Sequence, residues 1–83
     1  MTADVDPSGV WPEDQRDVDG AVVTNWFVRE GATVDEGETV CEIQVEKVSV
    51  DVPAPAAGTV GEILVDENEE FTRGDAVARI ETD

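Results

Sequence analysis

The chain has 83 residues, with 21 acidic and five basic side chains, no histidine and a net charge of −16. That length holds one domain with a modest core and leaves no room for a separate catalytic domain. The charge repels phosphate backbones and anionic bilayers, so nucleic-acid and membrane partners are not expected, and the missing histidine removes the commonest general base and metal ligand. Hydrophobic residues make up 40% of the chain, too many for an acidic disordered tail. No apolar run approaches a membrane span, and the start "MTADVDP" has no signal-peptide pattern. Cys41 is the only cysteine, which rules out an internal disulfide and makes a reducing, cytoplasmic setting the expectation. The excess of Asp and Glu over a single lysine suggests a halophilic protein, whose self-repulsion a salt-rich cytoplasm would screen. The acidic runs "DEGE" and "ENEE" lack EF-hand spacing and read as solvated surface.

In chain order, residues 1–8 read as a flexible leading segment and residues 9–83 as the domain. "GVWP" is expected to add a short strand, with Trp11 as an apolar anchor. From there strand signals are dense and helix signals poor, because short valine-rich runs are broken by Gly, Asn, Asp and Pro. The first strand–turn–strand unit is "VVTNWFVREGATVDEGETVCEI". Its adjacent Trp26 and Phe27 should send one ring into the core and leave the other outside.

The connecting segment is "IQVEKVSVDVPAPAAG". Its apolar positions fall on odd numbers at Cys41, Ile43 and Val45, then on even numbers at Val48, Val50 and Val52. A continuous strand cannot switch parity without turning its apolar face outward. A two-residue turn at Glu46-Lys47 resolves this, pairing Val45 with Val48, Ile43 with Val50 and Cys41 with Val52. The other face then pairs Gln44 with Ser49 and Glu42 with Asp51. Glu-Lys suits a type I turn, and Cys41 reads as a small core residue. Pro53 and Pro55 end the strand.

The second unit, "TVGEILVDENEEFTRGDAVARI", is the first displaced by 37 residues. Val23 falls on Val60, Val28 on Val65, Glu30 on Glu67, Gly37 on Gly74, Val40 on Val77 and Ile43 on Ile80. Gly31 falls on Asn68, and these two residue types accept positive φ most readily. Gly31, Gly37, Gly58 and Gly74 read as turn or close-approach positions. Two such units would pack around one core with a twofold relation, placing Lys47 at the far end from Asp83.

Lys47 is the only lysine, and the parity switch puts it at the hairpin tip. Around it, "DEGETVCEIQVEKVSVDVPAPAAGTV" resembles a lipoyl domain of the biotinyl/lipoyl-carrier family, in particular the acyltransferase-type modules of 2-oxoacid dehydrogenase complexes. The resemblance covers residues 10–81. It rests on the glutamate-flanked "EKV", on Gly31 sixteen residues before the lysine and Gly58 eleven after it, on "NWFVREG" and on "VPAPAAG". It implies an all-β fold, a flattened barrel or sandwich of two four-stranded antiparallel sheets with quasi-twofold symmetry. It also implies that Lys47 carries covalent lipoate, with Glu46, Val45, Val48, Gly31 and Gly58 serving the turn and recognition by a lipoyl ligase or transferase. Family lipoyl motifs have aspartate where Glu46 stands.

The implied role is a non-catalytic swinging arm. It would shuttle acyl groups and electrons between a 2-oxoacid dehydrogenase, an acyltransferase and a dihydrolipoamide dehydrogenase. With no acyltransferase domain in these residues, action in trans is the expectation. A biotin carrier of a carboxylase or decarboxylase is the alternative, although biotin carriers flank the lysine with methionines and here Glu46 and Val48 stand in those places. An unmodified structural module of the same fold is a third reading.

Overall fold

A computed structural model describes residues 1–82. Asp83, the residue expected farthest from Lys47, lies outside the described residues. Eight strands form in chain order: β1 (Thr2–Val5), β2 (Gly20–Trp26), β3 (Thr33–Val34), β4 (Thr39–Val45), β5 (Val48–Pro53), β6 (Gly58–Ile63), β7 (Glu70–Thr72) and β8 (Ala78–Glu81). They make two four-stranded antiparallel sheets, ordered β1-β8-β6-β3 and β5-β4-β2-β7. The dimensions are 36 × 21 × 17 Å, a flattened sandwich as expected. Valine dominates because β-branched side chains suit a pleated, half-buried surface. Alternation sends Val23, Ile43, Val45 and Val52 inward from one sheet and Val5, Val60 and Ile80 inward from the other, all at 1% exposure or less. Each such side chain contributes about 1.5–3 kcal/mol by leaving water.

The 37-residue repeat is a structural twofold. It carries β2 onto β6, β3 onto β7 and β4 onto β8, and the hydrogen bonds follow. Gly31 N–H donates to the Val60 carbonyl at 2.8 Å, and its counterpart Asn68 donates to Val23 at 2.7 Å. Phe27 donates to Val40 as Leu64 donates to Val77, both at 2.9 Å. The Glu30 carboxylate accepts from Ile63 N–H, and the Glu67 carboxylate accepts from Trp26 N–H, again both at 2.9 Å. Each unit thus satisfies backbone donors of the other, which neither could do alone. Gly31 and Asn68 have φ of 92° and 70°, and Gly37 and Gly74 have 87° and 100°. All four sit in the left-handed region anticipated for matched turns.

Two expectations for the first residues are corrected. Residues 1–8 are not a loose lead: Thr2–Val5 is an edge strand paired with β8, anchored by fully buried Val5. "GVWP" makes no strand. Pro7–Val10 is a 3-10 turn instead, because Asp6 accepts from Ser8 N–H at 2.9 Å and Pro7 opens the turn without needing a donor. Trp11 is the anchor expected, 8% exposed and edge-on to Phe71, with its indole N–H shared between the Gln15 and Val18 carbonyls. Trp26 and Phe27 divide as foreseen: Trp26 packs against the core and Phe27 is 54% exposed.

Candidate functional site: a lysine on a hairpin tip

β4 and β5 pair in the register that the parity argument requires, from Cys41 with Val52 to Val45 with Val48. Val45 is fully buried, so the strand is pinned to the core one residue before the turn begins. Val48, across from it, is half-buried. Glu46 and Lys47 are exposed, and none of the ion pairs among the described residues uses Lys47. The amine is therefore raised on a short hairpin projection, with no ion pair drawing it aside among the described residues.

The turn itself differs from the type I expected. Glu46 has φ of 56°, in the left-handed region, whereas Lys47 is not among the positive-φ residues. Positive φ at the first central residue alone is the sign pattern of a type II′ turn. That twist matches the flanking strands, whereas a type I turn would splay them. Strand pairing has overridden the local preference of glutamate.

Not every residue singled out in the sequence belongs to the tip. Gly31 hydrogen-bonds β6, and Gly58 is the first residue of β6, paired with Val34 in the sheet without the lysine. A Cβ at Gly58 would overlap the Glu81 carbonyl oxygen, so this is a close-approach glycine rather than a turn. Cys41 is wholly buried, and burial pushes its thiol up to about 12. It is a core residue with no reactive thiolate.

Sequence reasoning missed an open trough of about 410 Å³ beside the tip. Val18, Gly20 and Val22 contribute to it, with Gln44 and Glu46 from β4 and its turn and Glu70 from β7. Its sequence signal was Val22, which breaks the apolar–polar alternation by facing outward next to inward-facing Val23.

The described residues thus form an all-β sandwich of two equivalent units, with an exposed lysine on an interstrand turn. The chain belongs to the biotin/lipoyl attachment family: the family model described as biotin-requiring enzyme matches residues 12–80. A dihydrolipoyllysine-residue acetyltransferase component of the pyruvate dehydrogenase complex from Staphylococcus epidermidis is 37% identical over 59 residues, 71% of this chain. The Staphylococcus aureus counterpart is 36% identical over the same length. The chain spans 14% of the length of these relatives. Among solved structures, the lipoyl domain of the 2-oxoglutarate dehydrogenase complex from Azotobacter vinelandii superposes with a TM-score of 0.71, covering 99% of this chain and 96% of that one at 22% identity. The lipoyl-domain fold is thereby shown.

Proposed function

We propose that this chain is a lipoyl carrier domain and that Lys47 is its acceptor residue. The observation that carries the reading is the exposed Lys47 amine, without an ion pair among the described residues, at the tip of a pinned hairpin in a chain of this family and fold. Attachment would join the lipoate carboxyl to Nζ as an amide, which removes the lysine charge. Bound lipoate would supply a terminal dithiolane able to accept an acyl group and two electrons. The chain's own contribution is presentation. Val45 fixes the base of the hairpin, the backbone at Glu46 sets its twist, and the exposed tip leaves the arm free to enter a partner's active site. Tethering of this kind raises the local concentration of the reacting group.

The partners in this reading are a lipoyl ligase or transferase and the dehydrogenase, acyltransferase and dihydrolipoamide dehydrogenase components of a 2-oxoacid dehydrogenase complex. The acetyltransferase relatives support that assignment. Glu46 and Val48, in place of the methionines that flank a biotinyl lysine, favour lipoate over biotin. The relevant setting is the cytoplasm.

Intact mass and peptide mapping of protein from its own organism test this directly. A lipoyl adduct on Lys47 is expected. Lys47→Arg should retain the fold, since an exposed turn side chain adds little to stability, and should lose both the adduct and reductive acylation. A biotin adduct captured by streptavidin would move the assignment to a biotin carrier. A bare Lys47 in cells with active lipoyl ligase would leave a structural module.

A further inference from the structure

The two units differ in how their matched glycine turns are fastened. In the first, Gly37 N–H donates to the Ala54 carbonyl at 2.9 Å and Ala54 N–H donates to the Glu38 carbonyl at 2.8 Å. The pair Cys41 and Val52 is the twofold mate of Ala78 and Val5. Two residues further on, Ala54 therefore falls on Pro7, and both are buried. Proline has no N–H, so one of the two latches cannot form in the second unit. The other is missing as well, because Gly74 N–H donates to no backbone carbonyl among the described residues. Beside this unlatched turn lies a cleft of about 650 Å³, walled by Ser8, Gly9 and Gly74. Two of the chain's five cations, Arg16 and Arg73, also line it. The twofold mate of Arg73 is Glu36, so the second unit has reversed the charge at this turn. The Arg73 guanidinium lies over the Trp11 ring, 5.9 Å from its centroid, which holds it at the cleft.

We propose that this cleft binds a small organic carboxylate, with the Arg16 and Arg73 guanidiniums and the Gly74 N–H as its donors. The site involves neither Lys47 nor anything the lysine carries, so it goes beyond the carrier reading. Three observations select the ligand. The guanidiniums are largely unspent: Arg73 meets Asp19 at 3.5 Å and Arg16 meets Glu13 at 4.0 Å, each through one nitrogen. Their planar forks match the two oxygens of a carboxylate. Glu13 in the wall and Asp19 beside Arg73 limit the negative charge the cleft accepts, which favours a carboxylate over a phosphate dianion. The cleft volume falls within the ~300–1,000 Å³ usual for small-ligand sites. Salt screens the long-range repulsion from a chain at −16, while the hydrogen bonds act at contact.

Unmodified protein suffices for the test. Nitrogen-15 NMR spectra are followed while potassium acetate, potassium succinate, potassium phosphate or potassium chloride is added at matched ionic strength and constant pH. The expected result is a saturable shift of the Gly74 amide and of the Arg16 and Arg73 Nε–H signals with the two carboxylates. Arg73→Gln should weaken carboxylate binding by at least about tenfold, as loss of hydrogen bonds to a charged group does. Arg16→Gln should weaken it too, and this variant keeps the fold because the side chain is 74% exposed. Arg73→Lys, which keeps the charge but not the fork, should bind more weakly than the native chain. Shifts that rise linearly without saturating, or that chloride reproduces, would overturn the proposal. Tighter binding of phosphate than of either carboxylate would overturn the assignment of ligand class. So would unchanged affinity in both arginine-to-glutamine variants, since the donors would then lie elsewhere. None of these outcomes depends on whether Lys47 is lipoylated.

Discussion

At the residue scale, Glu46 is the position where backbone and side chain disagree. Its φ of 56° places a non-glycine residue in a region that costs roughly 1–3 kcal/mol. Glu46→Gly should therefore leave stability unchanged or raise it, while Glu46→Val, branched at Cβ, should lower it by about 1 kcal/mol. Chemical denaturation of the two variants checks this, and a clear loss in Glu46→Gly would mean that the carboxylate itself holds the turn. Cys41 offers a second reading at this scale. The folded chain keeps its thiol protonated up to about 12, whereas the unfolded chain ionises it from the ordinary 9.0. Its contribution to stability is complete below pH 9 and is lost as pH rises toward 12. A plot of unfolding free energy against pH should fall across that window, and the part due to this thiol should be missing in Cys41→Ala. An identical slope in both proteins would show that burial does not hold the proton.

At the scale of elements, the reciprocal carboxylates tie the units together. Glu30 serves Ile63 and Glu67 serves Trp26 with equal bond lengths, so Glu30→Ala and Glu67→Ala should cost similar amounts, about 1 kcal/mol each. Thermal melts of both variants test the equivalence, and a cost confined to one of them would deny that the twofold extends to these bonds. The repeat, the hairpin register and the positive φ of Gly31 and Asn68 could be read from sequence because each follows from a local rule: side-chain parity, or the readiness of glycine, which has no Cβ, and of asparagine, whose short polar side chain bonds locally, to take positive φ. β1 could not. Its four residues gain their partner from β8 at the far end of the chain, and no neighbouring residue announces that pairing. The 3-10 turn at Pro7–Val10 was misread for the opposite reason, since the decisive contact is an Asp6 side-chain bond rather than an apolar pattern. The trough escaped notice because the mate of Val22 is Glu70, on a strand brought alongside only by folding.

At the scale of the whole molecule, charge dominates. Glu42 faces Asp51 across β4 and β5, whereas the twofold-equivalent pair is Arg79 and Asp4, joined at 3.7 Å. The fold accommodates either arrangement, and the sheet carrying the lysine has the repulsive one. Like charges in that position cost roughly 0.2–1 kcal/mol, reduced by salt. Molar potassium chloride should raise the melting temperature markedly, and Asp51→Arg should gain most at low salt. A melting temperature unmoved by salt would remove the halophilic reading. The pairing of β1 with β8 has a different consequence. Thr82 N–H donates to the Met1 carbonyl at 2.8 Å, so the chain enters and leaves the fold through one doorway. The twofold carries Val45 onto Thr82, and hence carries the hairpin tip onto that doorway. Such a unit can be spliced into a surface loop of an unrelated host without stretching the host's backbone, and the graft would keep its hairpin lysine exposed.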